Sequence, residues 1–99
     1  MHVAQWLSLA ALLPHCDAVA CHGGAGTTLA ALRCGLPLVL LPRGADQFPT
    51  AAACQRAGVA RVLPPDGLTS ETVRTEVRRV LSEASYRHAA RQLQAEIAE

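Results

Sequence analysis

Apolar positions in this chain fall into short runs cut by glycine, proline and charged clusters, and the period within each run predicts an element. "LVLL" at residues 38–41 is apolar at every position, as a strand buried on both faces would be. "DAVAC" at 17–21 and "VARVL" at 59–63 read as two further strands, and residues 2–5 as a short extended piece ahead of Trp6. Helical spacing fills the intervals. Ser8 is placed to cap a brief helix over 9–15 whose Leu9, Leu12 and Leu13 share a face. Residues 27–34 form a helix closed by Gly35, with Pro37 beyond it as a stop signal, and residues 47–57 form one that stops at Gly58. Thr69 caps a helix carrying Val73, Val77, Val80 and Leu81 on one face, and a last helix turns Tyr86, Ala89, Ala90, Leu93 and Ile97 inward. Strands alternating with helices through short connections imply right-handed crossovers and a parallel sheet. The fold class is α/β.

Composition limits what such a sheet is for. Ninety-nine residues suit one small domain with one core. A hydrophobic content of 51% and a net charge of +1 exclude a disordered chain and a nucleic-acid-coating one. "LPLVLLP" at 36–42 is too short to span a bilayer. The first fifteen residues lack the basic region and small-residue cleavage site of a signal peptide, so the expected location is cytoplasmic, with no membrane span and no nucleic-acid partner. Cys16, Cys21, Cys34 and Cys54 show no CxxC spacing. Strand alternation would turn Cys21 and His22 to opposite faces, which spoils a zinc site, so the thiols are expected to be free and buried and no metal is expected.

The chemistry concentrates in "HGGAGTT" at residues 22–28. A strand that enters a helix through glycines leaves the first N–H groups of that helix unpaired and aimed at a common spot. Glycines let a ligand approach the backbone, and the helix dipole favours an anion. Thr27 and Thr28 add hydroxyl donors, and His22 stands at the carboxyl end of its strand, where α/β sheets bind ligands. A phosphate or diphosphate is the implied anion. The spacing matches neither the dinucleotide fingerprint nor the P-loop, and no Lys follows, so ATP hydrolysis is unsupported. A strand–helix turn needing glycine for packing alone is the structural alternative, just as Trp6 could plug the core and Asp46 could merely cap the helix that Gln47 begins.

From Trp6 to Gln47, the Trp followed by "LLPHCDAVACHGGAGTTLAALRCGLPLVLLPRGADQ" resembles the nucleotide-sugar signature of GT-B glycosyltransferases, most closely the bacterial antibiotic and macrolide branch. The resemblance implies a Rossmann-like sheet with flanking helices and a role for each matched residue. Trp6 would stack on the nucleotide base. His22, Gly23, Gly24, Gly26 and the hydroxyl of Thr27 or Thr28 would hold the diphosphate. Asp46 and Gln47 would bind the donor sugar. Such a site neutralises the charge growing on the leaving nucleoside diphosphate with a helix N-terminus and a His, and needs no metal or other cofactor.

The resemblance also implies departures. Plant relatives carry an acid in the helix after the glycines to grip the ribose hydroxyls; Ala30 stands there here, which fits thymidine diphosphate (TDP) better than uridine diphosphate (UDP). Ser8 replaces a usual Pro, and Arg43 receives no role. A GT-B enzyme works between two domains. The implied reading of residues 1–99 is a partial donor-binding domain of an inverting glycosyltransferase. The acceptor-binding domain with its general base is not in this chain, and no catalytic residue is assigned within it. The implied partners are a nucleoside-diphosphate sugar, a small natural-product acceptor bound through the absent domain, and a second copy meeting an exposed sheet edge. The alternative is a stand-alone module that binds a nucleotide or a partner without catalysis.

Overall fold

The computed structural model describes residues 3–4, 16–44 and 47–98. Its elements run β1 (Val3–Ala4), β2 (Ala18–Cys21), α1 (Ala25–Arg33), β3 (Leu38–Leu40), α2 (Gln47–Arg56), β4 (Ala60–Val62), α3 (Ser70–Ser82) and α4 (Ala84–Ala98). The strands form one parallel sheet in the order β1-β2-β3-β4. The expected α/β class and parallel sheet are thus present. The helix expected over 9–15 lies outside the described residues.

Register explains how the sheet acquires two different faces. Val19 stands opposite Leu38 and Cys21 opposite Leu40. These four side chains point to one face, where they bury Ala31 and Leu32 of α1, Ala51 and Cys54 of α2 and Ala90 of α4. Their neighbours Ala18, Ala20 and Val39 point to the other face and meet Val77 and Val80 of α3. Because both faces are covered, β2 and β3 are apolar throughout, with no polar side to alternate with. The alanines beneath α3 let that helix settle close to the sheet. Arg61 on β4 donates from Nε to Glu76 Oε2 on α3 at 2.6 Å, tying an edge strand to its covering helix. That bond, against the opposing effect of burial, pushes the guanidinium pKa up.

Two glycines end helices as the sequence requires. Gly35 and Gly58 adopt φ of +70° and +79°. After α1, the Leu36 N–H reaches back to the Ala31 carbonyl at 3.1 Å, and after α2 the Val59 N–H reaches the Cys54 carbonyl at 3.2 Å. A Cβ at Gly35 would meet only the movable end of the Gln94 side chain, so the positive φ is what calls for glycine there. One boundary differs from expectation. The helix after the glycines begins at Ala25 rather than near Thr27, so Gly26 lies inside its first turn. Gly24 is extended and its carbonyl accepts the Thr28 N–H at 3.0 Å, which closes the first helical turn two residues early. Among the described residues no helix is long and apolar enough to cross a membrane.

Candidate functional site at the carboxyl edge of the sheet

β2 and β3 both end at the same edge, and the segments that follow them touch. His22, immediately after β2, is exposed, and its Nδ1 lies 3.2 Å from the Leu41 carbonyl oxygen just past β3. A carbonyl only accepts, so Nδ1 carries the proton and donates, and Nε2 is left for a ligand. The Leu41 N–H donates to the Cys21 carbonyl at 2.8 Å, which extends the β2–β3 pairing up to this contact. Cys21 is buried where its neighbour His22 is exposed, as alternation requires, and the two do not converge on a metal. No group of three potential metal ligands occurs among the described residues.

Gly23 has φ of +93°, a conformation that side chains disfavour, and packs against Gln47. Gly24 and Gly26 are different. Gly24 has φ of −61°, open to any residue, and a Cβ built on either would meet nothing within 4 Å among the described residues. Packing alone therefore explains neither glycine. The N–H groups of residues 25–27 precede the first helical donor, so they have no acceptor inside α1. The first turn contains no acidic residue and no side chain caps it.

The two threonines separate. Thr27 is half-exposed beside these N–H groups, whereas Thr28 is 4% exposed, and among the described residues its Oγ1 makes no well-formed hydrogen bond, lying beside the Cys21 thiol. Of the two hydroxyls, that of Thr27 is the more accessible. Burial pushes the Cys21 thiol pKa up, while the Gly23 N–H and the Thr28 hydroxyl oppose that shift less strongly. Burial and then the charge of Cys21 likewise raise Cys54. Both thiols stay protonated at neutral pH, inert members of the core rather than nucleophiles.

Gln47 opens α2 at this edge, with Oε1 accepting from the N–H of Arg43 at 2.8 Å and of Gly44 at 3.2 Å. Those backbone donors and the Leu41 carbonyl were not singled out from sequence. The "RGAD" turn before Gln47 was the available signal, since a tight turn leaves N–H groups for a nearby side chain to satisfy. Trp6 and Asp46 lie outside the described residues.

Known proteins share both this sequence and this architecture. Residues 1–99 match the family described as erythromycin biosynthesis protein CIII-like, C-terminal domain. Over 91 residues the chain is 40% identical to a PGL/p-HBAD biosynthesis glycosyltransferase of Mycobacterium tuberculosis, covering 92% of this chain and 21% of that protein. Over 99 residues it is 36% identical to the TDP-daunosamine transferase DnrS of Streptomyces peucetius, covering 98% of this chain and 23% of the other. The structure of glycosyltransferase VinC in complex with dTDP superposes with a TM-score of 0.86 at 37% identity, over 92% of this chain and 23% of that one. The chain thus spans under a quarter of the length of each of these three proteins. A parallel sheet flanked by helices, superposing on a GT-B glycosyltransferase and matched in sequence from end to end, makes this chain a member of the erythromycin biosynthesis protein CIII-like C-terminal domain family of antibiotic glycosyltransferases.

Proposed function

We propose that this chain is the donor-binding portion of an inverting glycosyltransferase, and that the turn from His22 to Thr27 holds the diphosphate of a nucleotide sugar. The carrying observation is the space over Gly24 and Gly26 that the described residues leave open, where neither their packing nor the backbone conformation calls for glycine. A ligand lying against the backbone supplies the missing reason. The N–H groups of residues 25–27, the Thr27 hydroxyl and Nε2 of His22 are the proposed donors. Because Nδ1–H is taken by the Leu41 carbonyl, Nε2 donates to phosphate only when the ring is the imidazolium, which adds a positive charge where the leaving diphosphate becomes more negative. Trp6 is proposed to stack on the base, and Asp46 and Gln47 to face the sugar. The general base that activates the acceptor hydroxyl is assigned to the acceptor-binding part of the enzyme, outside this chain.

TDP is the preferred nucleotide in this reading. Ala30 offers nothing to a ribose 2′-hydroxyl, and a deoxyribose has none to satisfy. Self-association belongs to the same proposal, through the outer edges of β1 and β4, which no described strand covers.

Titration of the 15N-labelled chain with TDP, UDP and thymidine tests the reading. TDP is expected to shift the amides of residues 24–27, to bind more tightly than thymidine, and to bind more tightly than UDP. Supplied with a TDP-sugar and a phenolic acceptor, the chain alone is expected to bind without turnover. TDP binding that leaves residues 24–27 unperturbed, or no binding at all, overturns the proposal.

A further inference from the structure

Gln47 is matched by resemblance to the sugar site, yet its amide oxygen is committed within the chain. Oε1 accepts the Arg43 N–H at 2.8 Å and the Gly44 N–H at 3.2 Å, while the Gln47 N–H donates to the Gly44 carbonyl at 2.9 Å. Two backbone donors converging on one atom also fix which way the amide faces. A flipped amide would set its own NH₂ against both N–H groups. Only Nε2 is then left for a ligand, and it can only donate.

The bonds on either side of this turn reach the candidate diphosphate site. Two residues before Arg43, the Leu41 carbonyl holds His22 Nδ1 at 3.2 Å. From the other side Gly23 lies on Gln47 itself, since a Cβ at residue 23 would stand 3.7 Å from the Gln47 carbonyl oxygen and 3.9 Å from its Cβ. Residues 41–44 therefore run between His22 and Gln47 and are tied at both ends. We propose that Gln47 is a positioning residue whose amide oxygen latches the turn at residues 43–44 and, through it, holds the Leu41 carbonyl that orients His22. The consequence for TDP rests on the diphosphate reading above; the latch itself does not.

Gln47→Met keeps the length of the side chain and removes the acceptor, whereas Gln47→Glu keeps an acceptor oxygen. Four measurements on the 99-residue chain separate the outcomes. In the wild type, a scalar coupling across the hydrogen bond from the Arg43 amide nitrogen to the Gln47 side-chain carbonyl carbon is expected, and its absence overturns the latch even if a variant does not fold. In Gln47→Met the Arg43 and Gly44 amides are expected to exchange about tenfold faster, with the melting temperature little changed. The His22 ring, Nδ1–H in the wild type by its 15N shifts at pH 8, is expected to become a mixture of tautomers in Gln47→Met and to return to Nδ1–H in Gln47→Glu. Sugar-free TDP is expected to bind Gln47→Met about three- to tenfold more weakly. A residue acting on the sugar alone predicts no change there. An unchanged His22 tautomer in Gln47→Met, or TDP binding equal to wild type, overturns the proposal. If the wild type binds no TDP, the diphosphate reading falls, and the coupling, exchange and tautomer decide the latch by themselves.

Discussion

The N-termini of α1 and α3 are built in opposite ways. At α3, Thr69 Oγ1 accepts the Thr72 N–H at 3.1 Å while Thr72 Oγ1 accepts the Thr69 N–H at 2.9 Å, a reciprocal capping box. Glu71 in the first turn adds negative charge against the positive end of the helix dipole. The helix is finished by its own side chains. At α1 the cap is Gly24, which has no side chain to offer, and the first turn "AGTT" carries no acid. The same chain thus seals one helix start with its own side chains and leaves another uncapped among the described residues, beside an exposed His22. Bare N–H groups at a helix start cost little while water reaches them, and they become an asset once an anion arrives. On the proposed reading, the contrast separates a terminus closed by its own side chains from one left to an anion.

Giving α1 the seal that α3 has should produce the largest effect. Gly24→Asp places a carboxylate in space that is empty among the described residues, in a backbone conformation that suits it. A carboxylate at this position caps the helix, so the melting temperature is expected to rise by roughly 2–4 °C. It also sets a negative charge where the diphosphate is proposed to sit, so TDP affinity is expected to fall about a hundredfold or more. Calorimetric titration and thermal unfolding read both arms. Undiminished TDP binding would show that the open terminus is not the anion site.

Removing the seal from α3 is the reverse experiment and a smaller one. Thr69→Ala strips the side chain that accepts the Thr72 N–H, which should cost about 1 kcal/mol, or roughly 4–8 °C in melting temperature for a domain of this size. TDP affinity is expected to stay the same. A loss of binding equal to the loss of stability would mean that the two helix starts are not functionally distinct.

Within α1, the adjacent threonines sharpen the distinction further. Thr28→Val replaces a buried hydroxyl, without a well-formed hydrogen bond among the described residues, with a methyl group of similar size, and is expected to change stability by no more than about 1 kcal/mol while leaving TDP affinity within about twofold. Thr27→Val should weaken TDP without stabilising anything. If Thr28→Val instead weakens TDP as much as Thr27→Val, the buried hydroxyl reaches the ligand after all, and the choice of Thr27 as the donor is wrong.

Much of this arrangement was legible in the residues, and the exceptions have definite causes. Strands were expected at 17–21, 38–41 and 59–63 and form over Ala18–Cys21, Leu38–Leu40 and Ala60–Val62. Of the trimmed residues Asp17 is polar, whereas Leu41, Val59 and Leu63 are apolar and each still shares one backbone hydrogen bond with a neighbouring strand before the chain turns away. α1 begins at Ala25, two residues before the start that the glycine pattern suggests. In a first turn a glycine loses little, since its N–H has no helical acceptor whatever residue stands there. Thr27 and Thr28 could not be told apart, because neighbouring helix positions differ only in which one packing turns toward Cys21 and the core. The side-chain direction of Gln47 was invisible for a similar reason.

What the sequence determined alone is the local and periodic part of this protein. Apolar runs chose the strands, helical spacing chose the inward stripes, Gly35 and Gly58 closed two helices, and Thr69 capped a third, because each depends on residues within a turn or two of one another. The glycine-rich exit after β2 was fixed at the same level. Only the tertiary structure decided that Gly24 and Gly26 face space left empty by the described residues, and that the carbonyl of Leu41 holds His22 across nineteen positions of chain. The second of those facts joins segments brought together by the parallel register of β2 and β3, and the first depends on what the described residues leave empty. Local propensity carries no record of contacts, or of vacancies, that exist only once the sheet has formed.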